Sequence, residues 1–290
     1  MHSAYEQVKA FTLIELSIVL VLIGLLVGSV LVGRDLISAS QVRAQISQIQ
    51  EMRTAMNAFR VKYNCIPGDC PNATDFFGSI DSSGHYIING NGDGFIYGAG
   101  GVYGVINSPS GCLHADVTGK ASQALLQLND AGLTAYTANG NNDQTGIYHQ
   151  AMVATAGKVF PYAKYDNKSG IFITCLQDSV WPTLTPSFLQ YQNVIVFGTG
   201  SGWNAIGLQG NIDMTQRYSI PGPGTIGIPI KIIHQMDLKI DDGVPNSGKL
   251  GIVATDAVCG GATAGGLSIN VTSYPAGNST CLAVGGQKIE

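Results

Sequence analysis

The stretch that decides the fold is K-A-F-T-L-I-E-L-S, residues 9–17, together with the apolar run that it opens, residues 16–33. The run contains no ionisable side chain, and Arg34 is the first charged residue after it. Eighteen helical residues rise by about 27 Å, which is close to the thickness of the hydrocarbon core of a bilayer. The segment is therefore predicted to be an α-helix that crosses a membrane once.

Beyond Arg34 the apolar residues recur every three or four positions, which indicates one stripe along an α-helix. The stripe consists of Val42, Ile46, Ile49, Met52, Met56, Phe59 and Tyr63. The polar residues expected on the opposite face are Gln45, Gln48, Gln50, Arg53, Asn57, Arg60 and Lys62. Because no proline interrupts residues 11–63, we predict a single helix whose second half needs a soluble domain to cover its stripe.

A secretory signal peptide or a plain single-pass anchor is the alternative interpretation of residues 1–33. Three features count against it. The polar leader, residues 1–10, carries only one Lys and one Glu, and no A-x-A-type cleavage site follows the apolar run. In addition, Glu15 lies at the start of that run, where a charge is costly unless a partner neutralises it.

The residues K-A-F-T-L-I-E-L closely resemble the processing site of type IV pilins and type II secretion pseudopilins. The resemblance implies that a prepilin peptidase cuts between Ala10 and Phe11, and that the new amine of Phe11 is then methylated. The usual residue before the cut is Gly, and Ala10 departs from that pattern while remaining small. The alternative to an assembly role for Glu15 is that its side chain snorkels to the membrane surface. In an assembly of parallel helices it would instead approach a neighbour's N-terminus, because buried ions are tolerated only in pairs.

The resemblance also implies the architecture: an α+β, type IV pilin-like fold in which a long N-terminal helix packs on an antiparallel β-sheet domain with disulfides. The expected segments are a leader (1–10), a transmembrane or filament-core half-helix (11–34), an amphipathic half-helix (35–63) and a globular domain (64–290). Shorter segments within residues 60–78, 121–133 and 237–250 resemble a pseudopilin-like subgroup.

The partners implied are further copies of the chain, other pilins or pseudopilins, the prepilin peptidase and methyltransferase, and an inner-membrane assembly platform with a cytoplasmic ATPase. The implied location is the bacterial inner membrane with the globular domain in the periplasm, followed by a periplasmic pseudopilus or a cell-surface pilus. The role is structural, and the sequence predicts no enzyme: it has neither H-E-x-x-H nor G-x-S-x-G.

Composition agrees with a secreted, loop-rich domain, because only 12% of residues are charged and 38 of the 290 are Gly. From residue 64 onward the chain holds nine Lys or Arg and fifteen Asp or Glu, a balance of −6. Since attraction to phosphates dominates nucleic-acid binding, no direct nucleic-acid partner is predicted.

The six cysteines suggest disulfides in an oxidising compartment. Cys65 and Cys70 flank a Pro-Gly turn and favour a small closed loop, with a metal site as the alternative. Proximity and loop order alone suggest the pairs Cys112–Cys175 and Cys259–Cys281.

Two segments are candidate calcium sites. In N-G-N-G-D-G, the residues Asn89, Asn91, Asp93 and Gly94 match the first half of a calcium loop, although its twelfth position is Gly100 rather than Glu. A Gly-rich turn is the alternative, and Asp81 could add a carboxylate. The second candidate is a cluster of Asp237, Asp241 and Asp242. Calcium is thus the one cofactor that the sequence suggests, and none is certain.

Local patterns predict two further helices, at 121–131 with Gly132 as its C-terminal cap, and at 229–240 with a face of Ile230, Ile233 and Leu238. Strands are predicted at 171–176, 191–198, 250–255 and 280–284. Three functions remain open: a polymerising structural subunit, a minor subunit at a filament tip that binds a surface or cargo, and a membrane-anchored calcium-binding, adhesive or enzymatic domain.

Overall fold

The computed structural model describes residues 12–80, 84, 86–96, 120–136, 161–176, 192–199, 228–244, 247–255 and 282–289. The helices are α1 (Leu13–Tyr63), α2 (Ala73–Phe77), α3 (Lys120–Asp130) and α4 (Ile230–Ile240). The strands are β1 (Gly170–Leu176), β2 (Gln192–Thr199), β3 (Ile228–Pro229), β4 (Leu250–Thr255) and β5 (Leu282–Lys288). The chain is therefore α+β.

The long N-terminal helix is confirmed as one continuous element, α1. Residue contacts divide the chain into two compact units, Met1–Gln41 and Val42–Glu290. The division falls within α1, seven residues beyond the boundary expected at residue 34. Each unit therefore contains one part of the helix.

The second half of α1 contributes its predicted apolar stripe to the core of the larger unit. The stripe residues Val42, Ile49, Met52, Met56 and Phe59 are buried, with Ile46 and Tyr63 partly buried against them. The same core contains residues of α3, α4, β1, β2 and β4. This packing confirms that a folded domain covers the stripe.

The predicted polar face of α1 is wrong at two glutamines. Gln45 and Gln48 are buried rather than exposed. Gln48 donates from Nε2 to the carbonyl of Tyr162 (2.8 Å) and accepts at Oε1 from the backbone N–H of Lys164 (2.9 Å). Gln45 Oε1 accepts from the N–H of Tyr165 at 3.1 Å. A period-based assignment places any polar residue in solvent, whereas these amides supply hydrogen bonds to a buried backbone segment.

All pairings of the five-stranded sheet are antiparallel, as predicted. β1 pairs with β2, and β5 pairs with β2, β3 and β4. Consecutive residues are buried in β1 and in β2, so both faces of these two strands are covered.

The strand predicted at 280–284 is placed too early. β5 begins at Leu282 and continues to Lys288 through Gly285 and Gly286, which pair with β2 and β4. Adjacent glycines usually weaken or interrupt a strand. Here the strand continues because it is paired with partner strands on both sides. The two-residue strand β3 was also not predicted, because it is too short to show a period of two.

α3 ends in the cap that its sequence predicts. Gly132 has φ +69° and donates to the carbonyl of Asn129 at 2.8 Å, and Leu133 donates to the carbonyl of Leu128 at 3.0 Å. These two bonds form a Schellman motif, in which the left-handed residue closes the last turn.

The inward face of α4 differs from the prediction in one residue. Ile230 and Ile233 are buried, but Leu238 is 59% exposed. Met236 and Asp237 are buried in its place. The face is rotated because Ile233, Met236 and Asp237 follow the three- and four-residue spacing, whereas Leu238 lies five residues beyond Ile233.

Candidate functional sites

The first unit presents an apolar surface along α1. Every Leu, Ile and Val from Leu13 to Ile37 has between 49% and 88% of its surface exposed. By length and composition α1 is the one helix of the described chain that could cross a membrane, and the apolar window is not buried within the protein. A contiguous apolar surface of this extent requires lipid or other apolar chains to cover it.

The start of α1 is closed by a capping box formed by Thr12 and Glu15. The Glu15 N–H donates to Thr12 Oγ1 (3.3 Å), while Glu15 Oε2 accepts from the backbone N–H (2.8 Å) and hydroxyl (2.9 Å) of Thr12. This reciprocal pair is typical of T-x-x-E at a helix N-terminus. Ala10 and Phe11 lie outside the described residues.

A disulfide joins Cys65 and Cys70 immediately after α1, with 5.1 Å between their Cα atoms. The loop that it closes contains Asp69, whose side chain is only 2% exposed. Cys175 is also disulfide-bonded. Cys112, Cys259 and Cys281 lie outside the described residues, and the pairings suggested for them stay predictions.

Asp69 organises the residues of the first predicted calcium loop, here called the 89–95 loop. Its Oδ1 accepts from the N–H of Gly92 (3.0 Å) and its Oδ2 from that of Gly94 (2.7 Å). The N–H of Gly90 donates to the carbonyl of Cys70 at 2.8 Å. A Cβ on Gly90 would overlap the backbone of Asp69, so this approach requires glycine.

The ammonium of Lys120, the first residue of α3, lies in the 89–95 loop. Lys120 Nζ is 2.6 Å from Asp69 Oδ1, 2.5 Å from Asn91 Oδ1 and 3.1 Å from Asp93 Oδ1. It also donates to the carbonyl of Phe95 at 3.3 Å. The side chain of Lys120 is 1% exposed, so the ammonium has exchanged water for protein oxygen atoms. We call these four oxygen atoms the oxygen cage.

Further polar side chains hold the cage against α3 and the sheet. Gln127 Oε1 accepts from the N–H of Gly68 at 2.7 Å, and Gln123 Oε1 accepts from that of Ile88 at 3.1 Å. Asn193 of β2 donates from Nδ2 to the carbonyl of Gly94 at 2.9 Å. These contacts fix the loop at both of its ends.

The structure divides the candidate residues of the 89–95 loop between two partners. Asn91 and Asp93 contact Lys120, whereas Asn89 Oδ1 accepts from the N–H of Thr74 at 2.8 Å. The additional carboxylate at this loop belongs to Asp69. Asp81, which the sequence suggested for that role, lies outside the described residues.

The second acidic cluster brings its three carboxylates together. One oxygen each from Asp237, Asp241 and Asp242 lies within 4.8 Å of the others. Asp237 is buried, whereas Asp242 accepts from the Ser247 hydroxyl (2.5 Å) and from the N–H of Val244 (2.8 Å).

The hydrogen bond from the Ser247 hydroxyl is the main reason why the pKa of Asp242 is below its ordinary value, and the bond from the N–H of Val244 lowers this pKa further. Asp241 also accepts from the backbone N–H of Lys249. Calcium prefers six to eight oxygen ligands, so these carboxylates would supply part of a coordination shell. Calcium at this cluster stays a prediction.

Sequence reasoning missed Lys120 and Asp69. One signal was available. A lysine at the first position of a helix opposes the helix dipole, which favours a carboxylate close to it. This signal does not identify the partner, since Lys120 and Asp69 are 51 residues apart in the chain.

Comparison of the chain with protein-family models, with curated proteins and with solved structures gives no match.

Proposed function

We propose that the chain is a structural subunit of a type IV pilus or type II secretion pseudopilus, processed by a prepilin peptidase and polymerised through α1. The observation that carries the proposal is the contrast within α1. Its first part exposes every large aliphatic side chain up to Ile37, whereas its second part buries its apolar stripe, from Val42 to Phe59, in its own domain.

This contrast fits a segment that is covered by lipid before assembly and by neighbouring copies of α1 afterwards. Gly24 and Gly28 have the G-x-x-x-G spacing that allows close approach of helices. No contact within the single chain requires glycine there, because a Cβ at either position would meet nothing within 4 Å. The processing-site residues 9–16 distinguish this use of the helix from that of a plain anchor.

Glu15 is the assembly residue in this proposal. Within one chain its carboxylate is held by Thr12, and in a filament it would approach the N-terminal amine of a neighbour. Such pairing would stabilise one axial register of the helices over the others, because an unpaired charge in an apolar environment is costly.

The test expresses the full chain in cells that contain a prepilin peptidase and a pilus or pseudopilus assembly platform. Intact mass spectrometry of the filament fraction should find Phe11 as the N-terminus, with the added mass of one methyl group. Functional filaments whose subunits retain residues 1–10 would contradict the proposal.

A second experiment compares Glu15→Gln with Ser17→Ala. Both residues lie in the first turns of α1, but Ser17 donates only to the carbonyl of Ile14 at 2.9 Å. Glu15→Gln should keep the protein in the membrane fraction and abolish its recovery in filaments, whereas Ser17→Ala should assemble normally. Equal recovery of both variants in filaments would contradict the assembly role of Glu15, and absence of the wild type from filaments would favour a membrane-anchored domain unrelated to them.

A minor subunit at the filament tip is the second candidate, and the size of the segment after α1, residues 64–290, favours it. Labelling of native filaments separates the two candidates. A major subunit decorates the whole length, and a tip subunit marks one end.

A further inference from the structure

The contacts of Lys120 follow the ligand order of a calcium loop. In such a loop, side-chain oxygens at positions 1, 3 and 5 and a backbone carbonyl at position 7 surround the ion, with Gly at position 6 and a carboxylate at position 12. With Asn89 as position 1, Asn91, Asp93 and Phe95 occupy positions 3, 5 and 7. Within positions 3 to 7, the Lys120 ammonium contacts the side-chain oxygens of Asn91 and Asp93 and the backbone carbonyl of Phe95.

Positions 1, 6 and 12 of the loop can also be compared with the structure. Gly94, at position 6, has φ +90°, the left-handed conformation that allows the sharp turn there. Asp69 takes the place of the absent carboxylate at position 12 and is 2% exposed. Asn89, at position 1, is turned away from the cage because its side chain binds the N–H of Thr74.

We infer that the 89–95 loop and Asp69 form a divalent-cation site in which the ammonium of Lys120 is the resident cation. An ordinary buried ion pair requires a carboxylate and an ammonium only. Here an amide oxygen and a backbone carbonyl also contact the ammonium, at the alternate positions that a metal loop uses. The cation is therefore supplied by α3 itself, and the inference is independent of the proposed role of α1.

Two consequences follow for the protein. The 89–95 loop is held without an external ion, so the wild-type cage does not respond to calcium. Removal of the ammonium leaves two carboxylates facing each other across an empty space, since Asp69 and Asp93 both contact Lys120 Nζ. Calcium, a hard cation that prefers carboxylate, amide and carbonyl oxygens, can then enter with water completing its shell.

The test uses Lys120→Ala in the full chain in detergent micelles. Loss of one partner of a buried ion pair should lower the Tm of the soluble domain by roughly 6–20 °C in excess EDTA. Calcium chloride at about 5 mM, above the dissociation constants of weak extracellular sites, should restore at least half of that loss. The Tm of the wild type should change much less. Near-UV circular dichroism reports the packing of aromatic side chains, including Phe59 and Tyr63 in the buried part of α1, and not the backbone signal of the long helix.

Two control variants identify the cage as the source of the recovery. Lys120→Ala combined with Asp93→Asn removes one carboxylate, and calcium should no longer restore its Tm. Lys120→Met fills the space of the lysine stem without a charge, and it should be destabilised without responding to calcium. An equal calcium response in the wild type, in Lys120→Ala and in the Asp93→Asn combination would place the ion elsewhere and overturn the inference.

Lys120→Ser serves as the second variant if Lys120→Ala does not fold in EDTA. Both variants are then refolded from urea in calcium and in EDTA. Recovery of native near-UV circular dichroism in calcium alone supports the inference, and failure of both variants to refold in calcium overturns it.

Discussion

Gln48 illustrates, for a single residue, how α1 is attached to its domain. Its buried amide satisfies a carbonyl and an N–H of the segment that precedes β1, those of Tyr162 and Lys164. Removing a side chain that bridges two backbone groups in this way lowers the free energy of unfolding by more than the loss of its small apolar area, because both groups then lose their partner.

We therefore expect Gln48→Ala to lower the free energy of unfolding of the domain by about 1–3 kcal/mol. Gln50→Ala is the matched control, since Gln50 lies on the exposed side of the same helix and should change stability by no more than about 0.5 kcal/mol. Urea unfolding of the full chain in detergent, followed by near-UV circular dichroism, measures both. Equal effects would show that the bridge contributes nothing.

Tyr136 yields a prediction on alkaline pH. Burial raises the pKa of its hydroxyl, which has no hydrogen-bond partner among the residues that the structure describes. A raised pKa in the folded state means that stability is full below the ordinary value of 10.0 and is lost as the pH rises above it. Tyr136→Phe should be close to neutral at pH 7, because the ring is kept.

The measurement is the Tm at pH 8, 10 and 11 for the wild type and for Tyr136→Phe. We expect the variant to lose less stability between pH 10 and pH 11 than the wild type. Burial, and then the nearby charge of Asp166, also raise the pKa of Tyr165. Tyr165 is present in both proteins, so the difference between their pH profiles is due to Tyr136. Parallel pH profiles would contradict the assignment to Tyr136.

At the scale of elements, the C-terminal cap of α3 stabilises the helix that carries Lys120, and so it also supports the oxygen cage. Gly132 adopts φ +69°, a conformation that costs other residues about 1–2 kcal/mol, with Asn penalised least. We expect stability to decrease in the order wild type, Gly132→Asn, Gly132→Val. Thermal unfolding of the three proteins checks the order, and a Val variant as stable as the wild type would contradict it.

The disulfide that follows α1 is the second element that can be tested. It closes a ring of six residues, for which chain entropy predicts about 2 kcal/mol of stabilisation. The double change Cys65→Ser and Cys70→Ser should cost at least this amount, since the same ring positions Asp69 beneath Lys120. Unfolding of the variant with and without reductant measures the loss, and reductant should then have little further effect at this ring.

The elements that the sequence predicted well are those whose signal is local and periodic. The stripe along α1 and the cap at Gly132 depend on residues three to five positions apart, so the pattern alone indicates them. Gln45, Gln48 and Leu238 were misassigned because hydropathy cannot distinguish a buried bridging amide from a solvated one, or fix the rotation of a short helix. Contacts across long separations, such as that of Lys120 with Asp69, leave no periodic signal.

At the scale of the whole molecule, the two units have different requirements. The unit Val42–Glu290 has its own core, whereas the segment from Leu13 to Ile37 exposes apolar side chains throughout. A chain that starts at Ser40 should therefore be monomeric without detergent and keep the Tm that the domain has in the full chain. Size-exclusion chromatography with light scattering measures this outcome.

The control for that prediction is a chain that starts at Met52. It lacks Val42, Gln45, Gln48 and Ile49, which are buried in the same unit, and it should be less stable or aggregate. If the chain that starts at Ser40 aggregates while the longer protein is stable in detergent, the larger unit would not be an independent folding unit.

The position of Asp69 within the ring of Cys65 and Cys70 ties maturation of the domain to redox environment. While both thiols are reduced, Asp69 lies on an open chain, and Lys120 lacks a fixed position for the more buried of its two counter-ions, Asp69 and Asp93. Oxidation outside the cytosol closes the ring and presents that counter-ion in place. The disulfide therefore makes completion of this part of the core depend on an oxidising environment, and a fully reduced chain has no ring to fix the position of the Asp69 carboxylate.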